Sequence, residues 1–189
     1  LQIEIEKILV DIIQKQMNLP DNWGTTPKGD VIPCVSIYAQ NIKLFNTDRI
    51  QITVKTVSTH DYSNRLTYQS TENSVNEIQY LNQQRVMQVD VYSRNNEARQ
   101  RFYEVIFALN STYSQQMQDK YAFKLASISN GTNLSGLDGG SDINRFTITF
   151  NAIIYYEKIT PVDYYNDFTT TIHNPKGQFG EFTITEKET

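Results

Sequence analysis

Arg85 to Asn110 reads RVMQVDVYSRNNEARQRFYEVIFALN, and the change of period inside it decides the fold. Met87, Val89 and Val91 alternate with Gln88, Asp90 and Tyr92, which is the period of a strand with one buried face. From Asn95 or Asn96 onward, Ala98, Phe102, Val105, Ile106 and Leu109 recur at three- and four-residue steps. Arg94, Glu97, Arg99, Arg101 and Glu104 fill the other side, so the strand feeds an amphipathic helix.

Working outward, Ile5, Ile8, Leu9, Ile12, Ile13 and Met17 lie at helical spacing between Ile3 and Met17, which predicts an N-terminal amphipathic helix. Leu19-Pro20 ends it, and the stretch to Asp30, with Trp23 as a local packing anchor, reads as an irregular connection. Pro33 to Ala39 reads as a strand with its proline at the first or an edge position. A β-rich run follows from Ile50 to Val57, then a polar turn at Thr59 to Asn64 and a shorter strand from Arg65 to Thr71, which together predict a hairpin polar on one face. Glu72 to Asn82 is ambiguous. Ala122 to Ile128 reads as a strand with Phe123 and Leu125 on one side, and Ser129 to Asn144, rich in Gly, Ser, Asn and Asp, as a mobile loop. Arg145 to Lys158 has the strongest strand pattern, with Phe146, Ile148, Phe150, Ala152, Ile154 and Tyr156 on one face. Pro161 marks the departure from the main sheet, and the β-like segments on either side of Asn174-Pro175-Lys176-Gly177 predict a terminal hairpin.

The fold class is therefore α+β. A mainly antiparallel sheet is flanked by an N-terminal helix and a central amphipathic helix, in one domain over residues 1–159 with a C-terminal β-hairpin extension over 160–189.

With 189 residues the chain is long enough for one domain with a sizeable core. Its net charge of −4 is spread without a basic tail or Arg/Lys block, which argues against a surface built to neutralise nucleic-acid phosphates. Cys34 is the single cysteine, so neither an intrachain disulfide nor a multi-cysteine zinc site is available, and an intracellular setting is expected. No apolar run reaches the roughly 20 residues of a membrane span, and the apolar positions near the N-terminus are interleaved with Glu and Lys, unlike a signal peptide; a soluble, unexported chain is expected. The 12 tyrosines supply contact area with a polar handle, a composition suited to wet protein interfaces as well as to sheet faces.

Catalytic chemistry is hard to find in this sequence. His60 and His173 are the two histidines, each in or beside a predicted turn and without local partners for a metal or a nucleophile. Cys34 lies in a predicted strand with no histidine nearby, the setting of a buried inert thiol. Asp138-Gly139-Gly140-Ser141-Asp142 has hard oxygen donors but lacks the ligand spacing of a calcium loop. Glu97 and Glu104 stand at ion-pair distance in sequence from the helix arginines, as on a solvated or interface face. No enzyme activity, cofactor or metal is expected.

The order of elements resembles the neck or tail-terminator proteins of contractile-tailed bacteriophages. The resemblance rests on the N-terminal helix, VIPCVSIYAQ, the hairpin, Gln88-Val89-Asp90-Val91-Tyr92 running into a helix, and RFTITFNAIIYYEK, over roughly residues 1–160. It implies a structural virion protein, assembled in the host cytoplasm, forming a hexameric ring that terminates the tail tube and joins the tail to the head-side connector. The implied partners are further copies of the chain, the tail tube protein and the head-completion or connector protein, with the sheath as a further neighbour. DNA passes the lumen without specific binding, and no membrane is involved. The implied contact residues are Tyr62, Arg65 and Tyr68 in the hairpin, Arg94 and Arg99 at the helix, Leu134, Leu137 and Asp138 in the loop, and Tyr164 and Tyr165 before the extension. Another head-completion or baseplate component, an enzyme acting on a polymer or nucleotide, and a free-standing ligand-binding module remain as alternatives.

Overall fold

The computed structural model describes residues 4–37, 49–71, 74–135, 143–162, 167–173 and 179–185, the last two segments by their backbone. In chain order the elements are α1 (Ile5–Gln16), β1 (Asn22–Thr25), β2 (Val31–Pro33), β3 (Val35–Ile37), β4 (Gln51–Thr71), β5 (Ser74–Ser93), α2 (Glu97–Leu109), α3 (Thr112–Lys120), β6 (Phe123–Ala126), β7 (Thr132–Asn133), β8 (Asn144–Val162), β9 (Asp167–His173) and β10 (Phe179–Thr185). The fold is α+β. Its main sheet has the order β3-β4-β5-β8-β6, with β7 also on β8, and it is mixed: β3 runs parallel to β4 from Val35↔Ile52 to Ile37↔Val54, whereas β6 and β7 are antiparallel to β8. The chain forms two compact units, one of residues 1–63 and 81–156, the other of 64–80 and 157–189.

The first unit holds the core. Alternation sends Ile52 and Val54 of β4, Met87, Val89 and Val91 of β5, and Phe146, Ile148, Phe150, Ala152 and Ile154 of β8 to one face, all buried. Against them α1 buries Ile5, Leu9, Ile12 and Ile13, and α2 buries Ala98, Val105, Ala108 and Leu109. Removing these side chains from water, at about 25 cal/mol per Å² of apolar surface, is the main force that fixes both helices. Polar contacts then set the register. Glu97 accepts the Ile50 N–H (3.1 Å) at the start of β4, and the Trp23 indole N–H donates to the Ile50 carbonyl (2.7 Å). The partly buried Arg101 forks onto Glu104 (2.8 Å) and Glu97 (3.2 Å), hydrogen bonds that raise its pKa further and keep it a cation.

Several sequence expectations need correction. The stretch from Leu19-Pro20 to Asp30 is not simply an irregular connection: it contains β1, which pairs antiparallel with β2, and the turn between them closes through Thr26 N–H to Asp30 O (2.8 Å) and Gly29 N–H to Thr26 O (2.9 Å). No turn interrupts Thr59 to Asn64, because β4 is one strand through Thr71, bonded to β5. The polar run there contains no glycine or proline to break a strand, and it loses alternation because neither side is buried. The ambiguous stretch after Glu72 is strand from Ser74 onward.

Residues 129–135 are not a mobile loop. β7 pairs Thr132↔Thr147 and Asn133↔Phe146, and Ser129 N–H donates to Thr149 O (2.9 Å). Gly131, at φ +83°, lies so close to the Phe102 ring that a Cβ there would stand 2.9 Å from it. Residues 136–142 lie outside the described residues. Helix α3 has no counterpart in the sequence reading. Ser111 caps it by accepting the Ser114 N–H (3.1 Å), and two of the residues it buries, Ser114 and Gln118, are polar, so no apolar stripe announces it. Pro161 falls inside β8, which continues to Val162. In the second unit β9 and β10 pair antiparallel from Asp167↔Thr185 to His173↔Phe179; the turn between them lies outside the described residues.

Candidate interaction surfaces

Three regions concentrate the side chains with chemical potential. The first is built on the face of the sheet opposite the helices. Gln88, Asp90 and Tyr92 alternate away from the core, and Asp90 is fully buried. Its carboxylate takes hydrogen bonds from Thr147 and from Gln88 (2.8 and 2.9 Å), and faces Lys55 Nζ at 3.4 Å and Arg145 Nη2 at 3.5 Å. Burial pushes the Asp90 carboxyl upward, but the Thr147 and Gln88 hydrogen bonds and the Arg145 and Lys55 charges outweigh it, leaving the group below the ordinary carboxylate range. Tyr92 is raised to about 12 by burial and then by the Asp90 charge, while the Arg145 guanidinium stands 5.4 Å from its ring. This constellation is an ionic knot joining β4, β5 and β8. An anion held by two cations and two neutral donors has neither an available proton at neutral pH nor open coordination for a substrate.

The second region is the outer part of β4. Every residue from Val57 to Leu66 is exposed, which cannot happen in a strand that packs on either face. The exposed side chains include Val57 (54%), Tyr62 (49%), Leu66 (48%) and Tyr68 (62%). Tyr80 of β5 and Tyr155, Ile159 and Val162 of β8 are exposed as well. In each unit the solvated β-structure therefore carries exposed aromatic and aliphatic side chains.

The third region is the outward stripe of α2. Arg99, Tyr103 and Phe107 follow one another at four-residue steps, all exposed, and the Tyr103 and Phe107 rings meet edge-on at 5.8 Å. Beside Phe107 a groove of about 280 Å³ runs between Gln16, Met17 and Asn18 at the end of α1 and Glu104 and Ala108 of α2.

Of the contact residues drawn from the sequence, Tyr62, Arg65 and Tyr68 are exposed along β4, Arg94 is exposed where the chain leaves β5, and Arg99 is exposed on α2. Leu134 is half-buried, with its N–H on Arg145 O (2.9 Å). Leu137, Asp138, Tyr164 and Tyr165 lie outside the described residues. Sequence reasoning missed Tyr103 and Phe107. Their signal was present, since both fall on the charged side of the helix defined by Ala98, Phe102, Val105 and Leu109.

Cys34 is buried, and burial followed by the Asp21 charge raises its thiol to about 11, the state of an unreactive sulfhydryl. His60 is exposed on β4. Among the described residues, no three His, Cys, Asp or Glu side chains are grouped to hold a metal, and no helix is long and apolar enough to cross a membrane. Comparison with protein-family models and with curated proteins finds no match to this chain.

Proposed function

We propose that this chain is a structural virion protein of a contractile-tailed bacteriophage, one that assembles with copies of itself into a ring at the end of the tail tube and joins the tail to the head-side connector. The observation that carries the reading is the outer part of β4, exposed from Val57 to Leu66 with Tyr62 and Leu66 among its side chains. A chain whose buried carboxylate, Asp90, is tied to Lys55 and Arg145 within the fold, and whose solvated strands bear aromatic and aliphatic side chains, is suited to assembly. The element order and the Gln88-Val89-Asp90-Val91-Tyr92 segment supply the kind of assembly. Val89 and Val91 enter the core and Asp90 ties three strands together, so that motif maintains the scaffold.

The test is negative-stain imaging of the purified chain mixed with tail tubes, alongside the double substitution Tyr62→Ser, Leu66→Ser. Rings seated on tube ends, lost in the double variant while its fold is retained, are the expected result. Binding to a connector or baseplate component instead of the tube end would move the chain to another level of the virion. No association with any tail component would end the assignment.

A further inference from the structure

Among the described residues, no strand pairs with the edge of β4 opposite β5 beyond Val54. Among the described residues, β3 pairs with β4 only at Ile52, Thr53 and Val54, and β5 occupies the other side. From Val57 to Gln69 the side chains are exposed apart from the half-buried Thr67. A row of backbone N–H and C=O groups beside exposed side chains is a template for another strand.

The side chains say which strand. Between Val57 and Gln69 there are two charged groups, Asp61 and Arg65, of opposite sign and four residues apart. Asp61 is held in place by the Gln83 amide, which donates to one carboxylate oxygen (2.8 Å). Arg65 has no ion-pair partner among the described residues. If a second copy of β4 is laid antiparallel on the first with the two-fold axis at Ser63, Asp61 of each copy faces Arg65 of the other. The same register sets Thr59 opposite Thr67 and puts Tyr62 diagonal to Leu66 of the second copy on the opposite face of the ribbon. A shift of two residues either way sets Asp61 and Arg65 opposite neutral side chains, and a shift of one puts the facing pairs out of phase with the pleat.

We propose that two copies of this chain associate in solution by antiparallel pairing of their β4 edges in this register, with reciprocal Asp61–Arg65 ion pairs. An edge of about 13 residues spans roughly 43 Å at ~3.3 Å per residue, and with side chains about 10 Å across it covers roughly 430 Å² of each copy. That total lies below the standard size of a stable complex, so the contact is weak and depends on concentration. It shields the edge from open-ended pairing, because a two-fold contact closes on itself. The proposal does not rest on the ring reading, and its test uses no tail component.

Sedimentation velocity across a concentration series, with the variants Asp61→Arg, Arg65→Asp and the double exchange, tests it. The wild-type chain should dimerise in the micromolar to millimolar range. Each single reversal sets like charges opposite one another twice and should weaken the dimer about tenfold or more. The double exchange restores opposite charges and should recover it.

Ser63→Cys puts the two thiols directly across the axis and should form an intermolecular disulfide under mild oxidation. Ser58→Cys, which faces Tyr68 of the second copy, should not, and the buried Cys34 stays out of the reaction in both. A chain that stays monomeric at roughly millimolar concentration overturns the proposal. So does a dimer that the double exchange fails to restore, or one in which Ser58→Cys cross-links as readily as Ser63→Cys.

Discussion

The Asp90 knot and the outer part of β4 are built on the same sheet, yet they stand at opposite ends of what a strand can do with its side chains. At the knot a charged group is fully buried, and the groups around it, Thr147, Gln88, Lys55 and Arg145, are engaged by the fold. Along Val57 to Leu66 nothing is buried and several of the side chains are apolar. The knot concentrates two cations and two neutral donors on one buried carboxylate. The outer strand has no reactive group beyond an exposed imidazole, and its energetics are unfinished. Dense charge and apolar exposure are thus separated along one sheet.

That contrast makes the knot the place where substitution should damage the fold most. Asp90→Ala leaves Lys55 and Arg145 facing each other without the carboxylate, and should lower unfolding stability by about 3 kcal/mol, toward the smaller end for broken buried pairs because both cations keep some water. Urea denaturation measures this. The contrast is sharpened if self-association, referred to the folded fraction, does not change.

Gly131→Ala should come next, at about 2 kcal/mol by the same measurement, because φ of +83° and the nearby Phe102 ring both oppose a Cβ. A neutral result would mean that the β7 segment is not packed on α2 as described.

Acid should loosen the knot more gently. The folded-state pKa of Asp90 is depressed, so its contribution is present above the ordinary carboxylate value and is lost as pH falls through the lower folded value. The urea midpoint of the native chain should therefore fall with pH more steeply than that of Asp90→Asn below about pH 4. Parallel curves would remove Asp90 from the acid response.

The smallest stability effects belong to the exposed side chains. Tyr62→Ser and Phe107→Ser should each change stability by no more than about 0.5 kcal/mol. Of the two, only Tyr62→Ser should weaken self-association through β4. A large loss of stability in Tyr62→Ser would show that the outer strand is packed after all, and would erase the contrast with the knot.

Much of this architecture was legible because burial leaves a period in the sequence. The alternation of Met87, Val89 and Val91 and of Phe146 through Ile154, and the three- and four-residue spacing in α1 and α2, located the core strands and the two core helices. Where elements bury little, the period vanishes. The outer length of β4 was read as a turn and a second strand, and α3, which buries Ser114 and Gln118, was not read at all. The exposed aromatics were legible only in part: Tyr62 and Tyr68 were singled out in the sequence and are exposed, whereas Tyr103 and Phe107 of α2 were assigned to neither side of the helix and are exposed as well.

By itself, then, the sequence determined the α+β class, the face each core strand buries and the helix that follows Ser93, since each depends on interactions local to one element and on which side of it water is excluded. Only the tertiary structure decided that Lys55, Asp90 and Arg145, dispersed along the chain, meet in one knot, and that a strand carrying Tyr62 and Leu66 stays bare. The physical reason is that ion pairing and exposure depend on which elements end up side by side, a choice made by strand order and long-range packing and not by the period of any single segment.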